Sequence, residues 1–522
     1  MTTLPPPVAG LKLDPLEGAV PAWHAVCDAQ RWLAACAAVS EQGGRLAALW
    51  ASDERDARGG YTVHAALAAY EGLLWLELPL PAPEIAYPDL GPLFPCAARM
   101  QRAVYDLMGL EARTPAGSRP DSRGWLRHGT WREDAHPLRR DIAAQAHQQT
   151  GDADYAFVPV EGEGVHEIAV GPVHAGTIEP GHFRFSVVGE RVLRLEEHLG
   201  YKHKGIEKRF ESMDLTEGAR LAARVSGDSS VAYSWAYAMA LEALTGTQPP
   251  PRALWLRALL LERERIANHL GDLGYLGNDG GLAVGLAQFS RLKEDLLRTN
   301  AQLFGHRYLM DRIVPGGVAI EVDGQASEAI LAECTRLRAE LRAMRAIYYD
   351  HAGLQDRCIG CGRLDPSTAA ELGVVGLAAR ASGFATDLRA HPGFAPYDQL
   401  GVRIASHRSG DVAARIVVRF EEAFESVELQ RRILRSLPGG DVAARVGEAP
   451  AGQWGVGWVE GWRGEVLVAL QAGTGNRVRR CHPHDPSWQN WPALEHAVIG
   501  NIVPDFPLIN KSFNLSYAGV DL

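Results

Sequence analysis

Ala223-Arg-Val-Ser-Gly-Asp-Ser-Ser-Val-Ala-Tyr233 has the layout of a metal-binding loop with its thiols removed. Ser226 and Ser229 stand at the spacing of a Cys-x-x-Cys pair. A second pair of positions near the C-terminus, Ser516 and Gly519, is equally without sulfur. A nickel or iron site of this kind is built on soft thiolates. A serine hydroxyl stays protonated and is a poor ligand for such a metal. The loop therefore predicts a redox scaffold that no longer holds its metal.

Working outward, His174, Glu179, His182, His203 and Glu207 lie close upstream and are candidates for a proton-handling site. Residues 165–170 and 183–194 read as strands of a small sheet. Helices dominate afterwards. Residues 255–273 carry Leu256, Leu259, Leu260, Ile266 and Leu270 on one face. Ser327 is a candidate cap for a long helix in which Ile330, Cys334, Leu337, Leu341, Met344 and Tyr348 alternate in four-three spacing, the stripe of a bundle helix. Residues 454–459 and 465–471 read as a hairpin around 461–464.

Toward the N-terminus the texture is α/β. Residues 31–39 and 97–108 read as helices, and 46–50, 61–66 and 73–78 as strands. Residues 114–153, rich in Pro, Gly, Arg and His, read as a linker between a domain at 20–113 and another at 154–522. The expected fold class is α+β: an N-terminal α/β domain, then a mainly helical domain with a small β portion.

Composition narrows the function. At 522 residues the chain is too long for one ordinary core. A net charge of −10 argues against nucleic acid as a partner. No apolar run of about 20 residues predicts a membrane span, and the first residues do not read as a signal peptide. Seven scattered cysteines fit a reducing compartment better than a disulfide framework. Cys358-Ile-Gly-Cys361 supplies two ligands where structural zinc wants four. Cys481-His-Pro-His484 reads as a surface turn, and the glycines of 274–285 do not fit phosphate binding.

Two long stretches carry a family resemblance. Leu93-Phe-Pro-Cys-Ala-Ala-Arg-Met-Gln-Arg-Ala-Val-Tyr-Asp-Leu-Met-Gly109, with His136-Pro-Leu-Arg-Arg-Asp141, resembles the small α/β peripheral-arm subunit of respiratory complex I. The remainder resembles the large subunit of energy-converting NiFe hydrogenases, formate hydrogenlyase included, and the complex I quinone-site subunit. The motifs are Gly171-Pro-Val-His174, Glu179-Pro-Gly-His-Phe-Arg184, Tyr201-Lys-His-Lys-Gly-Ile-Glu-Lys208, Glu262-Arg-Glu-Arg-Ile-Ala-Asn-His-Leu270, Gly360-Cys-Gly-Arg-Leu-Asp-Pro366 and Arg380-Ala-Ser-Gly-Phe-Ala-Thr-Asp-Leu-Arg389, with Tyr397.

The resemblance places the four lost nickel–iron thiolates at Ser226, Ser229, Ser516 and Gly519. The chain ends at Val520-Asp-Leu522, without the tail clipped during nickel insertion. It implies a peripheral-arm subunit of a complex-I-like, NADH:quinone oxidoreductase-like complex that couples electron transfer to ion translocation. A quinone would occupy the vacated cavity, and no other cofactor is expected to be bound by this chain. An iron–sulfur cluster would sit on a small partner subunit, and membrane-embedded antiporter-like subunits would complete the assembly on the cytoplasmic side of the inner membrane. The tyrosine of the usual quinone-binding pair falls on Gly227, and its histidine near Pro180 or His182. His182, Asp228 and Tyr233 are therefore the candidate hydrogen-bonding or proton-donating groups. His203 and Glu207 are candidate relays, and His174, Arg380, Asp387 and Arg389 candidate cavity wall. The alternative is a non-catalytic scaffold that links an iron–sulfur subunit to membrane subunits.

Overall fold

Leu46, Leu49 and Trp50 fall between glycine pairs at 43–44 and 59–60, which bound a strand of a sheet. The computed structural model describes residues 8, 10–69, 72–121, 123–129, 131–132, 134–142, 155–176 and 178–522. The N-terminal unit contains β1 (Asp14–Leu16), β2 (Ala22–Val26), α1 (Ala29–Glu41), β3 (Arg45–Glu54), β4 (Gly60–Ala69), β5 (Gly72–Pro81), β6 (Ala86–Pro88), α2 (Ala97–Met108) and β7 (Glu111–Arg113). Its main sheet has the order β1-β2-β5-β4-β3. β2 runs parallel to β5 and every other neighbour is antiparallel. Asp28 caps α1 by accepting from the Arg31 amide. Met100, Val104 and Leu107 of α2 are buried.

The second unit opens with a three-stranded sheet, β8 (Val165–Val170), β9 (His182–Val188) and β10 (Arg191–His198), in the order β10-β9-β8. The single strand expected over 183–194 is thus a hairpin, because the chain reverses at Gly189 and Glu190. α3 (Ile206–Phe210), α4 (Leu215–Ala222), α5 (Ser230–Thr245), α6 (Pro251–Asp279) and α7 (Ala283–Phe304) follow, then the short strands β11 (Ile313–Val314) and β12 (Gly317–Val318). Next come α8 (Gly324–Asp350), α9 (Ala352–Cys358), α10 (Pro366–Glu371), α11 (Gly376–Ala381), α12 (Tyr397–Leu400) and α13 (Val412–Ser436). A second three-stranded antiparallel sheet, β13 (Trp454–Glu460), β14 (Glu465–Ala472) and β15 (Val478–His484), precedes α14 (Ser487–Ala497), α15 (Phe506–Phe513) and α16 (Ala518–Asp521).

The expected α+β class and the hairpin over 454–471 are as read from sequence. Three further expectations are corrected. Asp323, not Ser327, caps α8, with its carboxylate accepting from the Ala326 amide at 2.8 Å. Residues 481–484 are not a surface turn but the buried end of β15. That strand is covered because the N-terminal unit packs on it: the Trp50 ring lies stacked between His64 and His482, each 5.0 Å away. The face expected for 255–273 is a whole surface, since α6 is buried nearly all round. Among the described residues of 114–142 there is no helix or strand, yet Trp125, Leu126, Trp131 and Leu138 are buried, so this stretch is packed rather than detached. The remainder of the expected linker lies outside the described residues. No described helix is long and apolar enough to cross a membrane.

Two close approaches set the geometry of the helical unit. α5 lies directly on β13, where a side chain at Gly457 would fall 1.8 Å from the Ala236 carbonyl. Gly277 and Gly285 serve packing: the Tyr348 hydroxyl of α8 would meet a Cβ at Gly277 at 2.2 Å and one at Gly285 at 2.3 Å. That hydroxyl donates to the Leu273 carbonyl at 2.6 Å. Gly277→Ala is expected to destabilise the chain by about 1–3 kcal/mol, the usual cost of overpacking, and lower its apparent melting temperature. Gly277→Ala combined with Tyr348→Phe should recover most of that loss; no recovery in a thermal melt would refute the packing explanation.

Candidate functional site

Four positions far apart in sequence meet where the resemblance placed the lost ligands. The hydroxyls of Ser226 and Ser516 lie 2.9 Å apart. Ser226 gives its proton to Asp228 Oδ1, also at 2.9 Å, so Ser516 is the donor of the pair. The Gly519 amide then donates to Ser516 Oγ at 2.9 Å. Ser229 lies 3.4 Å from both Asp228 Oδ1 and Arg463 Nη1.

Asp228 is the hub. Arg463, from the β13–β14 turn, grips its carboxylate with two nitrogens, at 2.7 and 2.5 Å. The Asp228 carbonyl accepts from Asn268 at 2.8 Å and from the Trp462 indole at 2.9 Å. Burial alone would raise the Asp228 carboxyl, but the Arg463 charge and hydrogen bonds outweigh it and hold it down to about 2. Asp228 is an anion at neutral pH and cannot itself donate a proton there.

Above this floor opens a cleft of ≈ 520 Å³, walled by α6, α7, α15 and the 308–310 loop. Its polar lining includes Glu179, Asp272, Lys293 and Lys511 as well as Asp228 and Arg463. The volume is in the range of small-molecule sites.

Gly519 explains itself sterically. A Cβ there would stand 2.4 Å from Asp485 Oδ2, so Asp485 fills the space a cysteine side chain would need. Three hydroxyls and a glycine do not fit a nickel–iron centre, which calls for soft sulfur donors. Among the described residues no group of three or more His, Cys, Asp or Glu is placed to hold a metal ion.

Asp485 receives the Tyr233 hydroxyl at 2.8 Å. Burial raises the Asp485 carboxyl above the ordinary range, and burial together with the Asp485 charge raises Tyr233 strongly. Glu264 of α6 lies under the same loop and accepts the Val231 and Ala232 amides at the start of α5, at 2.6 and 3.2 Å. Its burial outweighs those two donors and pushes it up to about 8.

The other predicted residues are placed elsewhere. His182 lies beside Phe157 and accepts from Arg184 at 3.3 Å, and His174 packs edge-on to Phe183; neither lines the cleft. Glu179 does line it and accepts the Ala518 amide at 3.0 Å. Glu207 is buried against Arg480 and His482, at 2.7 and 2.8 Å. Burial opposes its charge, but those partners prevail and hold it down to about 2. His203 bonds the Asp521 carbonyl at 2.7 Å. The Asp521 carboxyl, pushed up to about 7 by burial, accepts the Gly200 and Lys202 amides at 2.8 Å each.

Arg380, Asp387 and Arg389 do not line the cleft; they form a buried ionic network behind it. Arg380 bonds Glu422 at 2.6 Å and Glu460 at 2.7 Å. Arg389 bonds Asp387 and Glu262, and Tyr397 donates to Glu262 at 2.6 Å. Arg265 ties Glu422 to the Gly461 carbonyl, two residues before Arg463. Cys358 and Cys361 are buried free thiols, the second pushed up to about 11 by burial.

Sequence reading missed Arg463, Asp485, Glu264 and Lys293. Only Glu264 left a signal: alternating charges in an otherwise apolar helix segment, 262–265, must find buried partners.

Glu264 makes the site testable by pH. Its folded value near 8 lies above the ordinary 4.5, so its contribution to stability is full below about pH 4.5 and is lost as pH rises through about 8. Glu264→Gln, neutral at every pH, should therefore gain melting temperature relative to wild type between pH 5 and 8. A difference that does not vary with pH would refute the neutral carboxyl.

Comparison with known proteins agrees with this architecture. Residues 25–148 match the model of the 30 Kd subunit of respiratory-chain NADH dehydrogenase, and residues 279–453 that of its 49 Kd subunit. The chain is 32% identical over 491 residues to formate hydrogenlyase subunit 5 of Escherichia coli (strain K12), covering 92% of this chain and 85% of the relative. It is 30% identical over 486 residues to hydrogenase-4 component G of the same organism, covering 92% and 84%. The carbon monoxide-induced hydrogenase of Rhodospirillum rubrum is 32% identical over 351 residues, covering 67% and 97%. The fold resembles a chain in the structure of the membrane-bound sulfane sulfur reductase, an archaeal respiratory membrane complex, with a TM-score of 0.65 at 24% identity, covering 70% of this chain and all of that one. With both units in one polypeptide, the chain belongs to the family of complex I and hydrogenase-related peripheral-arm oxidoreductase subunits that includes formate hydrogenlyase subunit 5 and hydrogenase-4 component G.

Proposed function

We propose that the cleft over Ser226, Asp228 and Ser516 is an electron-acceptor cavity that works without a nickel–iron centre. In this reading the chain is a peripheral subunit of a membrane-associated complex on the cytoplasmic side. A partner iron–sulfur subunit delivers electrons to a quinone or related acceptor in the cleft. Antiporter-like membrane subunits couple that reduction to ion translocation.

The observation that carries this reading is the state of the cleft floor. A vestigial cavity gains most by closing over apolar side chains, since interiors are close-packed. Here the space stays open and polar, and a bidentate Arg463–Asp228 pair is fixed at its base. Arg463 fixes the Asp228 carboxylate, and with it the polar floor against which the acceptor rests. The Tyr233–Asp485 pair holds a proton below the floor. Glu207, ion-paired and low in pKa, takes no proton-donating part at neutral pH.

The test is single-turnover reoxidation of the partner's reduced cluster in the native complex, followed by electron paramagnetic resonance. Arg463→Gln is expected to slow reoxidation at least tenfold with assembly intact, and Asp228→Asn to have a smaller effect. Metal analysis of the same preparation should find no nickel. Reoxidation at the wild-type rate in both variants would leave the scaffold role as the function, and stoichiometric nickel would overturn the metal-free reading.

A further inference from the structure

The cleft lining sets three carboxylates, Glu179, Asp228 and Asp272, against three cations, Arg463, Lys293 and Lys511, but two of the carboxylates are also held by cations from outside it. Each lining carboxylate already has a cationic partner. Asp228 is held by Arg463. Asp272 accepts from Arg419 at 2.9 Å and from Asn514 at 2.5 Å. Glu179 faces Lys202 at 3.8 Å and accepts the Ala518 amide. Two cations are left over. Lys293, half-buried on α7, makes no hydrogen bond or ion pair among the described residues. Lys511, on α15, rests its ammonium 4.6 Å from the centre of the Tyr275 ring and makes no ion pair among the described residues.

Lys293 is also given room. A side chain at Gly271 on α6 would come within 2.9 Å of its Nζ, so the glycine leaves the space in which the amine sits against the helix. Burial, opposed by Asp272 and Asp228, lowers the Lys293 pKa, and the nearby Lys511 lowers it further. Lys293 and Lys511 line the same open cleft, each without an ion-pair carboxylate among the described residues, and an anionic ligand would supply one.

The geometry points to an anionic ligand: the cleft binds a small molecule that carries a negatively charged group, held by Lys293 and Lys511. The Tyr275 and Tyr308 rings line the same opening and suit a ligand with a flat apolar body. Taken with the proposed acceptor cavity, on which this extension rests, it specifies a negatively charged acceptor rather than a neutral quinone. Binding itself requires no electron transfer and can be measured separately.

Isothermal titration of the native complex with naphthalene-2-sulfonate and with neutral 2-naphthalenemethanol tests this. The sulfonate is expected to bind and the alcohol to bind at least tenfold more weakly, with the difference shrinking as salt rises. Lys293→Gln and Lys511→Gln should each weaken the sulfonate about tenfold, the scale of one charge-assisted hydrogen bond. Lys12→Gln, far out on the surface, should change nothing. Equal binding of both compounds, no binding of either, or insensitivity to both cleft substitutions overturns the anion site. If the sulfonate binds as expected but does not slow reoxidation of the partner's cluster, the anion site stands and the acceptor reading falls.

Discussion

Arg380 has no contact with solvent, and three carboxylates, Glu422, Glu460 and Asp387, surround it. A buried guanidinium of this kind is tolerable only while every partner stays in place. Removing one member of a buried ion pair costs roughly 3–5 kcal/mol, because the other is left unpaired. The partners come from α13, from the end of β13 and from the segment after α11. Arg265 and Arg389 extend the set to α6. The network therefore holds the helices and the β13–β14 hairpin in one mutual arrangement.

The cleft inherits its precision from that arrangement. The hairpin turn that Arg265 grips through the Gly461 carbonyl is the turn that presents Trp462 and Arg463 to Asp228. Asp228 in turn orients Ser226 and thereby Ser516. A sequence of hydrogen bonds thus runs from the ionic core to the positions that the resemblance to the hydrogenases assigns to metal ligands. Loss of sulfur has not left those positions slack. Asp485 occupies the space beside Gly519, and Arg463 neutralises Asp228. The protonation states divide accordingly. Asp228 and Glu207 stay charged because cations face them, whereas Glu264 and Asp485 are pushed toward neutrality because nothing of sufficient positive charge does.

Family and module order could be read from the chain itself. Motifs such as Tyr201-Lys-His-Lys-Gly-Ile-Glu-Lys208 are contiguous, and the helix 97–108 and the hairpin over 454–471 follow from local periodicity. Absence of thiols at Ser226, Ser229, Ser516 and Gly519 is likewise a matter of composition at known positions, and it bears directly on metal chemistry. Errors arose where burial overrode local character. Residues 481–484 look like a polar turn, yet they pair with β14 and lie under Trp50. His182 belongs to a motif near the others in sequence, but its strand carries it away from the cleft.

Which charges cancel was settled by the fold alone. Asp228 and Arg463 are separated by 235 positions, and Asp272 and Arg419 by 147. No local pattern announces such pairs, because Coulomb energy depends on distance in space and on the solvent excluded around the pair. The same holds for Lys293 and Lys511, which among the described residues have no carboxylate partner once each lining carboxylate is assigned to another cation. Residue types along the chain specified that the four positions the resemblance assigns to metal ligands carry no sulfur. Packing specified which charges meet in the cleft, since burial and pairing act on groups brought together from separate elements.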